Sequence, residues 1–299
     1  MRDAGFDKGQ VVRYLAWTFG LAWAVQFAAA PLYRSNRMLG QLALAAMMFV
    51  PALGALLAGG DLSGMGWRPR VRENLRLLLI AWFAPMLLTA LGAALYFLAF
   101  PGHFDLSGAY LAASGGAEAL KQLEAQGLSY PIYVLISAVA AVTYGPLINT
   151  FVALGEEIGW RGFLYPRLKA RFGRRVGWLL GGTIWGAWHW PLIALIGYEY
   201  GAAAGNAAGY FGAPVTGMLL FCVITVGWGI LHDRLYEKSG SIWMPALLHG
   251  AINAAATLAP SVCLPDTGAA RLLGPTPMGL LAGLPFLAVA AALLLRSKR

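Results

Sequence analysis

Charged residues are scarce in this chain. Only 12% of its 299 residues are Asp, Glu, Lys or Arg, whereas a soluble domain carries about 25%. Apolar residues make up 59% of the sequence instead. The length alone would suggest one or two soluble domains, but this composition argues against them.

The missing charges leave eight long stretches without any Asp, Glu, Lys or Arg. They are Tyr14–Tyr33, Met38–Gly60, Leu77–Phe100, Pro131–Gly155, Val176–Tyr198, Gly201–Leu231, Ser239–Pro265 and Leu272–Leu295. A helix needs about 20 apolar residues to cross the hydrocarbon core of a membrane. The sequence therefore predicts an all-α, polytopic membrane protein with a bundle of about eight transmembrane helices. Residues 1–299 are expected to form one integral-membrane domain, whose motif-bearing core covers about 131–258.

Cysteine is also scarce, and both of its occurrences lie in apolar segments. Cys222 and Cys263 are too few for a disulfide framework, so we expect two small buried hydrophobic side chains. The N-terminal region has no clear small-residue cleavage site. The first apolar stretch is therefore predicted to be an uncleaved span rather than a signal peptide.

Basic residues outnumber acidic ones, which gives a formal net charge of +9. If the eight stretches alternate in direction, all but four of the 22 Lys and Arg residues share one side with both termini. Positive loops mark the cytoplasmic face, so both termini are predicted to be cytoplasmic. No basic soluble face remains for a nucleic acid, and basic loops of this kind contact membrane lipids instead.

The cellular setting is indicated only by residue usage. A preference for Ala, Gly and Arg over Lys is typical of a GC-rich bacterial genome, so we expect a multi-pass protein of the bacterial cell (inner) membrane. No pattern in the sequence indicates an oligomeric state.

Three polar clusters interrupt the apolar stretches. They are Glu156–Glu157–Ile–Gly–Trp–Arg161, Trp185–Gly–Ala–Trp–His189 and His249–Gly–Ala–Ile–Asn253. An ionisable group inside a bilayer costs roughly 3 kcal/mol on insertion scales, and such groups usually face the protein interior and serve a function. These clusters are therefore the candidate functional residues.

The two adjacent glutamates are predicted to have different tasks. Glu157 and Arg161 are four residues apart on one helix face, where they can pair. Glu156 is rotated by about 100° from its neighbour, so the same arginine is out of its reach. A carboxylate without a cation partner in an apolar site is a candidate general base. The pair of Glu157 and Arg161 is expected to support it.

The histidine clusters are predicted to complete a hydrolytic site. His249 and Asn253 share a helix face and can direct N–H groups at a developing oxyanion. His189 is placed to orient the attacking water beside Glu156. Each element also has a structural explanation, because intramembrane His and Asn often form interhelical hydrogen bonds. His103 and His232 lie outside the clusters and are expected at the surface.

The depths of the two histidines are a test of this arrangement. His249 lies about 12 Å from the cytoplasmic end of its span, and His189 lies nearer to about 20 Å, at 1.5 Å per residue. The two converge only if the fifth span starts late, is tilted or projects above the membrane surface.

At these residues the sequence resembles the CPBP family of CAAX proteases and bacteriocin-processing enzymes. Its signature is EExxxR, then an aromatic residue before xxxH, then HxxxN or HxxxD. The chain shows Glu156–Glu157–xxx–Arg161, Trp185–xxx–His189 and His249–xxx–Asn253, with Trp185 in place of the commoner Phe. The resemblance covers about Gly155 to Ala256.

The resemblance implies an intramembrane endopeptidase that hydrolyses a peptide bond of a lipid-anchored, membrane or peptide substrate. Glu156 and His189 would activate water, while His249 and Asn253 would form the oxyanion hole. Glu157, Arg161 and Trp185 would support them, in a cavity that opens towards the cytoplasm or laterally to lipid.

A zinc-dependent version of the same activity has also to be considered. Catalytic zinc usually takes three protein ligands and a water, and Glu156, His189 and His249 are the candidates. The spacing is not HExxH, so we expect a glutamate-type enzyme without a cofactor.

Two classes other than a protease use the same residues. A proton-coupled transporter would use the Glu/His cluster as a relay, but no internal repeat supports it. A catalytically silent membrane scaffold would not need every member of the constellation.

Overall fold

The computed structural model describes residues 5–201 and 209–297, and in these ranges the regular structure is helical. Its helices are α1 Lys8–Ser35, α2 Arg37–Met47, α3 Val50–Leu57, α4 Leu75–Ala99, α5 Ala117–Ala125, α6 Tyr130–Val142, α7 Gly145–Glu157, α8 Tyr165–Phe172, α9 Arg174–Trp188, α10 Trp190–Ile196, α11 Val215–Ser239, α12 Trp243–Ala256 and α13 Leu284–Arg296. Short helical turns cover Pro101–His103, Ala109–Leu111, Ala112–Gly116, Leu258–Ser261 and Gly268–Leu272. A segment of wider π-type turns, Ile158–Leu164, joins α7 to α8.

The membrane prediction is confirmed, although fewer spans qualify than the eight charge-free stretches suggested. Five helical segments of the described chain are long and apolar enough to cross a membrane, or six if one strongly bent pair counts as a span. The five are Lys8–Ser35, Arg37–Leu57, Leu75–Ala99, Arg174–Ile196 and Val215–Ser239. The architecture is an all-helical, polytopic bundle.

The other charge-free stretches contain breaks that a count of charges does not detect. Pro131–Gly155 divides into α6 and α7 at Thr143 and Tyr144. In Ser239–Pro265, α12 is only 14 residues long, because Gly240 adopts a left-handed conformation that ends α11. Apolar turns lack charge just as apolar helices do, so they were included in the predicted spans.

Apolar side chains on the outside of the bundle match a lipid environment. One face of α4 exposes a ladder of large side chains, namely Leu79, Ile80, Phe83, Leu87, Leu91, Leu95 and Leu98. A water-soluble protein rarely exposes a contiguous apolar patch of this kind.

Glycine lets the helices that hold the site approach one another closely. A Cβ atom at Gly182 of α9 would lie 2.3 Å from the Cα of Val226 in α11. One added at Gly250 of α12 would lie 2.5 Å from the backbone nitrogen of Thr150 in α7. Close backbone packing through small residues is a general device of membrane helices. These contacts pack α9 against α11 and α12 against α7.

The loops gather at two opposite ends of the bundle. At one end, here called the basic end, the segments 58–74, 165–175 and 232–243 meet: Asn74 donates to the carbonyl of Ser239, and the backbone N–H of Ile242 donates to Gly66. At the other, the loop end, the segments 33–38, 100–116, 197–201 and 260–278 meet: Arg37 donates to Ser114, and the backbone segments at Phe104 and Cys263 pair. The side of the membrane that each end faces stays a prediction.

Candidate active site

Glu156 and Glu157 are the last two residues of α7 and, as neighbours in a helix, project from different faces. α7 passes without interruption into the π-type turns, in which the backbone N–H of Tyr165 reaches the carbonyl of Trp160, five residues back. Such wide turns are rare and often occur at functional sites. Glu156 and Glu157 are both almost completely buried, yet they have different partners.

Two tryptophans hold the Glu156 carboxylate. Its Oε2 atom accepts a hydrogen bond of 3.0 Å from the indole N–H of Trp160 and one of 2.7 Å from the indole N–H of Trp185. Both hydrogen bonds from the described residues end on Oε2, which leaves Oε1 for another partner. As predicted, Glu156 forms no ion pair with a described cation. The indole donors replace part of the hydration that the carboxylate loses on burial.

Glu157 lies at the centre of a separate, fully buried polar cluster. Its Oε1 accepts from Arg161 at 2.9 Å and lies 2.8 Å from Nδ1 of His249. The predicted pairing of Glu157 with Arg161 is thus present. The second oxygen, Oε2, is buried without a hydrogen-bond partner among the described residues.

Arg161 is packed between aromatic rings. Its guanidinium carbon lies 4.2 Å from the ring centre of Trp185 and 4.9 Å from that of Tyr165. The side chain is completely buried, and a desolvated cation over an aromatic face is a favourable arrangement. Trp185 therefore connects both carboxylates: its N–H binds Glu156, and its face supports the cation that pairs with Glu157.

His189 terminates α9, and its tautomer follows from its partner. Nδ1 lies 3.0 Å from the carbonyl oxygen of Trp185, which can only accept a hydrogen bond. Nδ1 therefore carries the proton, and in the neutral ring Nε2 is an acceptor. α10 begins at Trp190, directly after the histidine, and has Pro191 in its first turn.

His232 is a residue that the sequence analysis placed wrongly. It was expected at the surface, but its side chain is completely buried in α11. Its Nδ1 donates to the carbonyl of Trp228 at 2.6 Å, and its ring centre lies 5.6 Å from those of His249 and Trp185. The adjacent charges of Asp233 and Arg234 suggested a loop, whereas α11 continues as far as Ser239.

His249 and Asn253 share one face of α12, as their spacing predicted. His249 donates from Nδ1 to Glu157, because a carboxylate accepts. Asn253 is half-buried. It forms no side-chain hydrogen bond with a described residue, so its amide N–H groups are free for a ligand.

One cavity of about 1340 Å³ brings the predicted catalytic side chains together. Glu156, His189, His249 and Asn253 all line it. The different depths of His189 and His249 along their helices therefore do not separate them. The lining continues to the loop end, through residues such as Ser35, Ser114 and Thr276. None of the described residues of the basic end lines the cavity. The lining therefore does not support the expected opening towards the side of the basic loops.

The cavity wall also contains an acid that the sequence analysis missed. Glu199 follows Tyr198, whose ring lies parallel to that of His189 at 6.1 Å between centres. Burial raises the pKa of Glu199 to about 7, against hydrogen bonds with Tyr198 and Thr276 that lower it. The charge on this part of the wall therefore changes near neutral pH. Glu199 directly follows the charge-free stretch Val176–Tyr198, and this position is the feature of the sequence that could have indicated it.

The fit of the site to a zinc ion was tested on its donor atoms. Among the described residues, Glu157, His232 and His249 are the group whose ligand atoms lie within 4.8 Å of one another. This is not the set that the sequence suggested. Glu157 already pairs with the Arg161 cation through Oε1, and His249 donates to the same oxygen, so both residues are engaged in a hydrogen-bonded ion pair. The group fits zinc poorly.

Comparison with known proteins agrees with the motifs. Residues 138–255 match the family model described as "Type II CAAX prenyl endopeptidase Rce1-like". This segment is thus similar to the CPBP family, whose motifs it carries. The matched segment contains α7 to α12 with all three polar clusters, whereas α1 to α5 and α13 lie outside it.

The chain is also similar to a curated protein, CAAX prenyl protease 2 of Methanococcus maripaludis. The two are 25% identical over 155 residues, which covers 45% of this chain and 55% of the relative. The chain thus spans about half the length of the curated relative that it matches.

Proposed function

We propose that this chain is an intramembrane endopeptidase that hydrolyses a peptide bond with a water molecule activated by Glu156 and His189. The observation that carries the proposal is that Glu156, His189, His249 and Asn253 line one cavity, although they come from three different helices. The CPBP match supports the same reaction class.

The free atoms of Glu156 and His189 fit the orientation of one water molecule. Glu156 Oε1 and His189 Nε2 are both acceptors, so each takes one hydrogen of the same water. The lone pair of that water then points at the substrate carbonyl carbon. As the C–O bond forms, Glu156 takes the proton, and it returns a proton to the leaving amine as the C–N bond breaks.

His249 and Asn253 are placed to stabilise the oxyanion that forms in this step. Asn253 offers its amide N–H. Because Nδ1 of His249 already donates to Glu157, donation from Nε2 requires a positively charged ring. The adjacent Glu157 carboxylate stabilises that charge, which gives the buried pair of Glu157 and Arg161 a supporting role in the reaction.

No metal ion takes part in the proposed reaction. The oxygen Oε2 of Glu156 is occupied by two indole N–H groups. In the group of Glu157, His232 and His249, Glu157 is paired with the Arg161 cation. The substrate class that fits is a peptide or a lipid-anchored protein, in contact with membrane lipids at the outer face of the bundle.

The proposal is tested by peptide cleavage with the purified protein in detergent, read by mass spectrometry. The panel contains a farnesylated CAAX peptide, the same peptide without the lipid, and short hydrophobic peptides. We expect cleavage at a defined bond, and the matched pair shows whether the lipid is recognised. A folded protein that leaves every peptide intact would contradict the proposal.

Replacement of Asn253 by Ala should lower kcat by about 10²- to 10³-fold, as is usual for the loss of one oxyanion donor. KM should change little, because the interaction forms mainly in the transition state. Asn149→Ala is the matched control: Asn149 is half-buried on α7 and donates to the carbonyl of Gly145. Equal kcat values for the two variants would remove Asn253 from the oxyanion hole.

Replacement of Trp185 by Phe should lower kcat by about 10- to 100-fold, because it deletes one hydrogen bond to the Glu156 carboxylate. The aromatic face under Arg161 is retained, so the fold should persist. Trp228→Phe deletes an indole N–H that has no partner among the described residues, although it lines the same cavity. Its kcat should stay close to that of the wild type. Equal losses of kcat in Trp185→Phe and Trp228→Phe would contradict a role for the hydrogen bond between Trp185 and Glu156.

A further inference from the structure

His232 lies behind the wall of the catalytic cavity. It does not line the cavity itself, whereas Trp185 and His249, against which its ring packs, both do. The ring centre of His232 lies 5.6 Å from that of Trp185 and 5.6 Å from that of His249. The proposed reaction gives His232 no task, although two side chains of the site rest on it.

The ring of His232 is oriented by its own helix. Its Nδ1 donates to the carbonyl oxygen of Trp228, four residues earlier in α11. In the neutral ring Nε2 is then an acceptor, and it is buried without a hydrogen-bond partner among the described residues. Buried polar atoms without a partner are rare in native proteins, so the position of this one requires a reason.

His232 also lies close to the charged cluster of the site. Ligand atoms of Glu157, His232 and His249 are all within 4.8 Å of one another. Because Nδ1 of His232 is bound within α11, Nε2 is the nitrogen whose lone pair is left for this cluster. The hydrogen bond from Nδ1 to a carbonyl group polarises the imidazole, so that Nε2 is the negative end of its dipole.

The proposed reaction adds a positive charge beside this lone pair. At rest the cluster holds one carboxylate, Glu157, and one cation, Arg161. When His249 donates from Nε2 to the oxyanion, its ring carries a second positive charge, which Glu157 alone would have to balance. A fixed dipole that points at a developing charge stabilises it without reorganisation.

We propose that His232 is a positioning residue of the hydrolytic site, which stabilises the charged ring of His249 through the Nε2 lone pair. The inference rests on the proposed function for the role of His249. It assigns a task to a side chain that lies outside the three polar clusters of the sequence. A histidine that only fills space between Trp185 and His249 would instead be replaceable by another ring without loss of rate.

Replacement of His232 by Phe tests the role of the lone pair. Phenylalanine keeps a ring between Trp185 and His249 but has no nitrogen. The kcat of peptide cleavage should therefore fall by about 10- to 100-fold, less than for the loss of a direct oxyanion donor, while KM changes little. His103→Phe is the matched control, because His103 lies outside the cavity lining and bonds to Tyr96. Its kcat should equal that of the wild type.

Two polar variants separate the lone pair from the space that the ring fills. The side-chain oxygen of His232→Gln can accept in place of Nε2, and its amide N–H can donate to the carbonyl of Trp228. This variant should regain most of the kcat that His232→Phe loses. His232→Asn keeps the donor but ends short of Nε2, so it should be as slow as His232→Phe. Thermal unfolding in the same detergent shows that the variants compared are folded.

Double variants show whether His232 acts through His249 or through Trp185. In the background of His249→Gln, His232→Phe should lower kcat no further, because the charge that it stabilises is absent. In the background of Trp185→Phe, the full 10- to 100-fold loss should persist.

Three results would overturn the inference. They are a wild-type kcat for folded His232→Phe, equal kcat values for folded His232→Gln and His232→Asn, and the same further loss in both double variants. The comparison of Gln with Asn holds even where the Phe variant does not fold. A wild-type protein that cleaves no peptide would contradict the proposed function itself, and with it the role of His249 on which the inference rests.

Discussion

Glu156→Gln should lose peptidase activity by about 10²- to 10⁴-fold, the usual contribution of a general base. The amide is isosteric with the carboxylate, and its oxygen still accepts from the indole N–H groups of Trp160 and Trp185. It does not take a proton from water at neutral pH. The buried surroundings therefore remain, while the chemical step is lost.

The measurement is the initial rate of peptide cleavage at saturating substrate, together with thermal unfolding in the same detergent. Glu118→Gln is the matched control, because that carboxylate is exposed and its ion pair within the described residues is with exposed Lys121. The control should cleave as the wild type does. A Glu156→Gln protein with more than a tenth of the wild-type kcat would remove Glu156 as the base.

Arg161→Met should destabilise the folded protein by about 3–5 kcal/mol, because it leaves the Glu157 carboxylate buried without its cation. It also removes the group that packs on the faces of Trp185 and Tyr165. The expected result is a large fall in the free energy of unfolding and in the yield of extracted protein.

The control for this change is Arg70→Met. Arg70 forms a 4.0 Å pair with Glu73 in which both side chains are more than half exposed, and an exposed pair of this kind contributes little. A double variant, Arg161→Met with Glu157→Leu, should recover part of the stability because no unpaired charge remains. It should stay inactive, since His249 loses its acceptor. Equal stability of Arg161→Met and Arg70→Met would contradict the account.

Local spacing predicted the parts of the site that depend on a single helix. Residues four apart on a helix share a face, which is enough to pair Glu157 with Arg161 and to align His249 with Asn253. The rotation between adjacent residues also separated Glu156 from Glu157. These relations within one helix do not depend on how that helix packs against the rest of the chain, so the sequence alone predicts them. The catalytic roles of these residues stay predictions.

Relations between helices were not predictable in the same way. The indole N–H of Trp185 reaches Glu156 across 29 positions in the chain, and the sequence suggested only an aromatic wall. The burial of His232 depends on how α11 packs against α12. No spacing rule encodes either contact.

The membrane bundle was predictable from composition, but the lengths of its helices were not. Charge-free stretches revealed the apolar segments, because charges are costly in lipid. Breaks at Thr143 and Gly240 leave α7 and α12 with 13 and 14 residues. α12, which carries His249, is thus shorter than a lipid-spanning helix, whereas α7 continues without interruption through Ile158–Leu164 into α8.

The central claim is hydrolysis by a glutamate without a metal ion, and metal removal tests it most directly. The purified protein is treated with a strong chelator, its metal content is measured, and the cleavage rate is compared before and after. The account predicts that wild-type cleavage persists in metal-free protein and that Glu156→Gln is inactive under both conditions. Loss of wild-type cleavage on chelation, with recovery on addition of zinc, would contradict it.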